Sequence, residues 1–502
     1  MGPAPHCPNE EQRKISMRPT LSMLDPQLIP RIIDEARGLL KTLGVTIHNK
    51  EVLALLGDHG ADVDTSAQHA AFTDRIIDDA LGSAPSSFKL YDVLGNETHD
   101  FSGNNVHFTP GSAAINIQDS DTGEIRRPVT RDYVRYAKLM GGLENIAAQS
   151  TAFIPDDVAD PISDAYRLFL SLLYCEKPVV TGAFPGGSFE VMLDLLVMVR
   201  GSADALGEKP LAVFSACPTP PLKWAESASQ NVMDCARASI PVEYISMPLS
   251  GFVAPVTLVG SLIQHTAETL SGVVISQLSN PGTPILYGGA PSIFDIRYET
   301  TPFGAIETMM IDCAYTAIGK SLGLPTQTYT AMSDAKRLDA QAGLETSMGA
   351  TLAALAGTNN ISGPGILDFI NTQSLEKLVV DNEICGMTFR MLEGIEPRED
   401  FPSLPLFQEF QRDKHLLIAD HTRRHLRDEI RFPGSVIDRA NRARWEDDGK
   451  TTLRERASSE VERLVSEAEP SGLDDGLKAQ LVERMENAAR EAGMDTLPQR
   501  DG

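Results

Sequence analysis

The sequence predicts an α/β fold, a TIM (β/α)8 barrel with an N-terminal helical layer and a C-terminal helical extension. The first observation behind this is a repeating strand–helix rhythm over residues 101–375. The second is that the rhythm contains eight strand-like runs, the number that closes a parallel barrel. The third is negative. No GxGxxG or GxxxxGK[ST] phosphate loop follows any of the runs, which weighs against the alternative, an open doubly wound sheet.

Taken in order, residues 1–20 are polar and predict a disordered N-terminus. Residues 21–100 predict a helical and hairpin layer. Its first helix runs from Pro26 to Leu43, with Leu28, Ile32, Ala36, Leu39 and Leu40 at helical spacing and Gly44 as the stop. A second helix covers Lys50 to Gly57, and Thr73-Asp74 cap a third that ends near Leu81. Phe88–Tyr91 and Val106–Phe108 alternate as strands do, and Ser112–Pro128 predicts a hairpin turning at Thr122-Gly123, beside Asp121.

One barrel strand comes from the Val106–Ile117 region. The other seven are Ile146–Phe153, Pro178–Ala183, Leu211–Ala216, Val242–Met247, Pro284–Gly289, Thr326–Ala331 and Asn360–Gly365, with a helix-length gap after each. Residues 376–470 predict helices, among them Arg412–Arg431 and Glu446–Glu467. Residues 471–502 form an acidic tail with a short helix. Leu473, Leu477, Leu481 and Met485 share one of its faces, suited to packing on the barrel or on a partner.

The 502 residues are 42% apolar, enough for a large core, and carry a formal charge of −25. That charge argues against nucleic acid and anionic membranes as partners. The six cysteines form no CxxC pair, which fits free thiols in a reducing cytoplasm. The N-terminus lacks the apolar core of a secretory signal, and no apolar run is long enough to span a bilayer. A homo-oligomer is compatible with all of this.

A barrel keeps its chemistry at the C-terminal ends of its strands. The richest such end is Ser333–Glu345, where Asp334, Lys336, Asp339, Gln341 and Glu345 crowd one turn after an apolar strand. The same residues also read as a solvated loop entering a helix whose acids suit its dipole. The strand ends hold few histidines, and the chain has no HExxH signature and no GxSxG elbow. No metal site is expected. His421 and His425 stand four apart, but in a highly charged segment without an apolar cleft, and His265 with Glu268 share a helix face. What remains is a hole with aromatics around it: Phe153, Phe184, Trp224, Tyr287, Phe303 and Tyr329 are candidates. Rings of this kind bind a quaternary ammonium with ~0.5–2 kcal/mol each, and Glu307, Asp334 or Glu345 would add negative charge. Each aromatic taken singly also reads as core.

Several segments together resemble the trimethylamine methyltransferase (MttB) family, in its non-pyrrolysine branch, which is glycine betaine methyltransferase-like. They are His107–Ala113, Asp121-Thr122-Gly123-Glu124 leading to Arg126-Arg127-Pro128, and Tyr174–Pro178. To these add Phe214–Leu222, Tyr287-Gly288-Gly289, Asp334–Glu345, and Trp445 with Gly449. The resemblance implies a TIM barrel that moves a methyl group from a methylated amine to the Co(I) of a corrinoid (cobalamin) carried by a separate protein, with no tightly bound cofactor of its own. The trimethylamine enzymes carry pyrrolysine near the Ser333–Glu345 region, and this chain has none. That points to a small quaternary amine, glycine betaine-like, as substrate.

On this reading Phe153, Phe184, Trp224 and Tyr287 line the cation pocket, and Asp334 and Glu307 supply catalytic charge. His107 or Lys336 holds a substrate carboxylate. Asp339, Gln341 and Glu345 support the site or meet the corrinoid protein. Two other classes remain open: a lyase or aldolase using Lys336 as a Schiff base, and a non-catalytic betaine-binding protein.

Overall fold

The computed structural model describes residues 18–120, 122–183 and 188–500. Eight short parallel strands form the barrel: β1 (His107–Thr109), β2 (Gln149–Ser150), β3 (Val179–Thr181), β4 (Ala212–Ala216), β5 (Val242–Tyr244), β6 (Ile285–Leu286), β7 (Gln327–Tyr329) and β8 (Asn360–Ser362). All eight fall inside the runs the sequence predicts.

Ladders join β2 through β6 and β7 through β8 to β1. Two seams complete the ring. Between β6 and β7, Tyr287 N donates to Pro325 O at 2.8 Å and Gln327 N to Tyr287 O at 3.0 Å. Between β1 and β2, Ala147 N donates to Phe108 O at 3.1 Å, and Ala114 bridges Phe153.

A helix follows each strand: α1 (Thr130–Gly141), α2 (Ser163–Tyr174), α3 (Ser188–Arg200), α4 (Glu226–Arg237), α5 (Leu258–Ser279), α6 (Ile306–Ser321), α7 (Ala340–Ala356) and α8 (Leu375–Leu392). α5 is almost wholly buried, because the barrel covers one side and the N-terminal layer, led by the helix Leu28–Thr42, covers the other. Its N-terminus is fixed by Thr257, whose hydroxyl accepts from Gly260 N. α7 starts at Asp339, which caps Gln341 N and Ala342 N, and ends at Gly357 with φ 83°. A side chain at Gly349 would stand 2.0 Å from Thr330 O, so this glycine is what lets α7 lie against the end of β7.

The N-terminal layer adds the strands Val45–Ile47, Asp62–Asp64 and His69–Ala71, which form one sheet with Lys223–Trp224. A separate hairpin, Lys89–Tyr91 with Glu97–Asp100, closes the N-terminal end of the barrel. Its Leu90 and Phe101 pack with Val180, Val213 and Leu286, an apolar plug inside the ring.

At the C-terminal side, Leu453–Glu467 packs on α1 and α8, while Asp475–Glu491 packs on α2 and α3 with Leu481 and Met485 fully buried. The tail helix therefore lies on the barrel. The single helix expected over Arg412–Arg431 is divided into Leu404–Asp413 and Asp420–Glu429. Lys414 takes the left-handed conformation between them, φ 65°. Among the described residues no helix is long and apolar enough to cross a membrane.

Candidate active site

All eight strand ends meet at one face, where a cavity of about 340 Å³ opens. That is the low end of small-molecule sites, ~300–1,000 Å³. Ser112, Thr151, Thr181 and Ser215 give it hydroxyls; Ile245, Met247, Ala290 and Ile370 give it apolar walls. Tyr329 is its aromatic wall, and Arg167 is the one charged residue among the described residues that line it.

The floor is built by the inward faces of the strands. Side chains alternate along a strand, so β5 turns Tyr244 out, where its hydroxyl donates to Gly272 O at 2.8 Å, and turns Glu243 in. Glu243 is wholly buried. Its carboxyl accepts from Ser215 Oγ at 2.6 Å and from Asn360 Nδ2 at 3.4 Å. Asn360 is held in turn by Thr109 Oγ1 at 2.8 Å. Burial, only partly offset by these donors, pushes the Glu243 carboxyl up to about 7.

Tyr329 hydrogen-bonds Ser112 Oγ at 2.9 Å, and burial together with the nearby Glu243 raises its phenol far above its ordinary value. Two residues earlier on the same face of β7, the buried Gln327 amide has no protein partner at either atom. Cys217 opens to solvent through the cavity, yet the protein packed around it, with Glu243 nearby, holds its thiol up at about 12. A cysteine of that kind is no nucleophile.

On the wall, Arg167 pairs with Asp164 and donates to Thr151 O at 2.9 Å. Ile370 ends a run of three left-handed residues, Asp368, Phe369 and Ile370, with φ 53°, 53° and 73°. Such a run costs ~1–3 kcal/mol per residue and persists only where neighbours enforce it. Lys336 is one of these neighbours, beside the backbone bond from Asp368 N to Ala335 O at 3.0 Å: its ammonium sits 3.7 Å from the Phe369 ring centre, 3.6 Å from Asp368, and donates to Asp334 O at 2.7 Å.

The residues named from sequence fare differently. Phe153 packs on Tyr133 and Tyr136 of α1, with ring centres 5.2 and 5.6 Å away, outside the barrel. Trp224 donates its indole N–H to Ser271 Oγ at 2.8 Å under the N-terminal sheet, and Tyr287 donates to Thr266 Oγ1 at 3.1 Å on α5. The aromatic cage of Phe153, Trp224 and Tyr287 is therefore corrected. A barrel interior is narrow, and large rings at strand ends fill the wider space between strands and helices. Phe184 lies outside the described residues.

His107 opens β1 at the opposite end of the barrel, 4.5 Å from the His99 ring, so it cannot meet a ligand in the cavity. Glu307 is exposed on the first turn of α6. Asp334 is buried, with its carboxylate spent on Phe303 N at 3.0 Å and Gly304 N at 2.8 Å; burial raises it to about 6. Glu345 accepts from Ser333 Oγ, Asp334 N and the Gln341 amide. The acids of the 333–345 cluster are spent on the protein itself, within the cluster and on Phe303 and Gly304, and the cluster bears on the cavity through Lys336 and the turn that carries Ile370. Likewise His265 bonds Gly288 O at 3.0 Å, and Glu268 accepts from Ser246 Oγ at 2.7 Å, both inside the wall.

Sequence reasoning missed Glu243 and Arg167. The signal was there for the first: a glutamate inside the apolar run Val242–Met247 is costly to bury and marks a site more often than a core.

Comparison with known proteins places this geometry. The family model for trimethylamine methyltransferase (MTTB) matches residues 4–493. The chain belongs to this family. It is 28% identical to trimethylamine methyltransferase MttB of Desulfitobacterium hafniense (strain DSM 10664 / DCB-2), over 91% of this chain and 92% of that one. It is 27% identical to glycine betaine methyltransferase of D. hafniense (strain Y51), over 95% and 98%. With trimethylamine methyltransferase MttB of Methanosarcina thermophila the identity is 31%, over 87% and 91%. Among solved structures, the Methanosarcina barkeri monomethylamine methyltransferase MtmB superposes with a TM-score of 0.50 at 11% identity, covering 94% of this chain and 88% of that one. The likeness to MtmB supports the barrel fold. This family member is an enzyme, a methyltransferase, and the cavity at the strand ends is its candidate active site.

Proposed function

We propose that this methyltransferase takes its methyl group from a small quaternary ammonium compound of the betaine type and delivers it to the cobalt of a corrinoid carried by a separate protein. The observation that carries the reading is a pair of opposite charges at one small cavity: a buried carboxyl, Glu243, beneath the floor and bonded to the lining Ser215, and a guanidinium, Arg167, on the wall. A zwitterion with a cationic head and a carboxylate matches that polarity. Ile245, Met247 and Ala290 supply apolar surface for N-methyl groups.

The chemistry asks little of the protein. A quaternary nitrogen already has a neutral amine as its leaving group, so no general acid is needed, and orienting one N–CH3 bond toward the mouth supplies the main advantage. As the methyl leaves, the substrate loses its charge. Glu243 therefore stabilises the bound cation more than the transition state, which makes it a binding group. With its carboxyl at about 7, it gives up its proton to solvent when the cation enters, because a nearby positive charge favours the ionised form.

The corrinoid would supply a low-valent cobalt that accepts the methyl group. A macrocycle does not fit in about 340 Å³, so it would be presented at the mouth, where the turn bearing Ile370 and the Lys336 side chain form the rim. The glycine betaine methyltransferase relative and the absence of pyrrolysine from this sequence support the quaternary class.

The test is a panel of methylated amines, each incubated with the enzyme and a reduced corrinoid protein, read as methyl-cobalt absorbance. Transfer from a betaine and none from trimethylamine is expected; transfer from trimethylamine alone would overturn the substrate class. The lyase reading finds no support, because Lys336 is engaged on Phe369 and Asp368 outside the cavity lining.

A further inference from the structure

The segment 395–432, between α8 and the helix Leu453–Glu467, is unlike the rest of the surface. Its 38 residues hold 10 of the 23 exposed large apolar side chains of the described chain, including Ile395 at 98% exposure and Phe401 at 84%. Neither of its helices, Leu404–Asp413 or Asp420–Glu429, has a single buried residue. Isolated helices of ten residues are marginal in water, since most helical stability comes from packing an apolar face. Here the face exists, in Phe407, Phe410, Leu417 and Ile418 among others, and none of the described residues covers it.

The extent is that of an interface. Ten such side chains at on the order of 100 Å² each expose roughly 1,000 Å². The largest apolar patch of a monomer is ~300–600 Å², and a stable interface takes ~800 Å² from each partner.

Position and charge say what covers it. α8 runs back from the cavity mouth, so its last turns lie beside the strand starts: Asn382 accepts from Asn145 N, just ahead of β2, at 2.9 Å, and Phe389 packs on Phe108 of β1. The arm is tied there by Arg390 of α8, which donates to Glu429 O at 3.1 Å, and by Arg431, which pairs with Glu383 of α8 at 3.2 Å. It thus sits at the end of the barrel opposite the mouth, away from where a methyl acceptor must dock. The arm is also nearly neutral, eight Asp and Glu against seven Lys and Arg, in a chain of charge −25. Two copies of so acidic a chain meet with least repulsion through a near-neutral region of this kind, whose arginines are largely paired with its own acids.

We propose that the arm 395–432 is the surface through which this protein binds a second copy of itself. The test is sedimentation of the full-length chain at micromolar concentration, beside a variant with Phe401→Glu, Phe407→Glu and Ile418→Glu. The wild type should sediment as a dimer or larger. The variant should sediment as a monomer, with methyl transfer retained. A monomeric wild type, or a variant of unchanged mass, would overturn the proposal. Hydrogen exchange on the wild type gives a second reading independent of the variant. Arm amides should gain protection as concentration rises, and protection that is flat with concentration, or gained only on adding the corrinoid protein, would rule self-association out.

Discussion

Two polar regions flank the cavity of this barrel, one at its rim and one beneath its floor, and they use their hydrogen bonds in opposite ways. The turn Ser333–Glu345 is dense with acids and amides, but they serve the protein itself: Asp334 holds two backbone amides and Glu345 holds Ser333 and Asp334. The set around Glu243 is sparse and drawn from four strands, Ser215, Asn360 and Tyr329 with it, and it leaves capacity open toward the cavity. The side-chain amide of Gln327 beside it has no hydrogen-bond partner in the protein. A cluster in sequence builds a frame; a buried group left under-satisfied in space marks where a ligand belongs.

The sharpest way to break that contrast is Glu243→Gln. The carboxyl stands at about 7, against an ordinary value near 4.5. Between those values the folded chain keeps a proton that the unfolded chain has lost, so folding weakens as pH rises through that window. The variant removes this penalty. Urea unfolding should find it more stable than wild type by on the order of 3 kcal/mol at pH above 8 and equal near pH 4.5; equal stability at both would show that the carboxyl is ordinary.

The same variant should raise KM for the quaternary amine about 10- to 100-fold, the worth of a charge-assisted contact of ~1.5–3 kcal/mol, with kcat changed little. A fall in kcat alone would recast Glu243 as a catalyst.

Asp334→Ala tests the other side. Two backbone amides, one buried and one part-buried, lose their acceptor, so stability should drop by ~1–3 kcal/mol while KM in the folded enzyme stays near wild type. A tenfold rise in KM at unchanged stability would return Asp334 to the substrate.

Lys336→Ala removes a half-exposed ion pair and a ring contact. It should cost no more than about 1 kcal/mol, and borohydride should trap no carbonyl adduct on wild-type Lys336; an adduct there would revive the lyase.

The barrel was legible because its signal is periodic and long: eight runs with helix-length gaps, each now holding a strand. The site was less so. A strand end tells that Tyr287 or Phe153 is near the mouth, but only the pleat decides that Tyr287 turns to Thr266 on α5 and Tyr329 turns to Ser112 in the cavity. For a parallel barrel both faces of a strand are buried, so hydrophobic alternation, which reveals direction in other sheets, is silent. Glu243 is the exception, since an acid among apolar neighbours has no cheap place outside the site. Arg167 was hidden differently: it reaches the wall from α2, a helix whose residues are almost all buried.

The most direct test of the account is the pH dependence of Kd for a betaine, measured by calorimetry across pH 7 for wild type and Glu243→Gln. The account predicts that wild-type binding tightens as pH rises through about 7, where the carboxyl ionises, and that the variant binds weakly and evenly throughout. A wild type whose affinity is flat through this range, or a variant with the same profile, would contradict it.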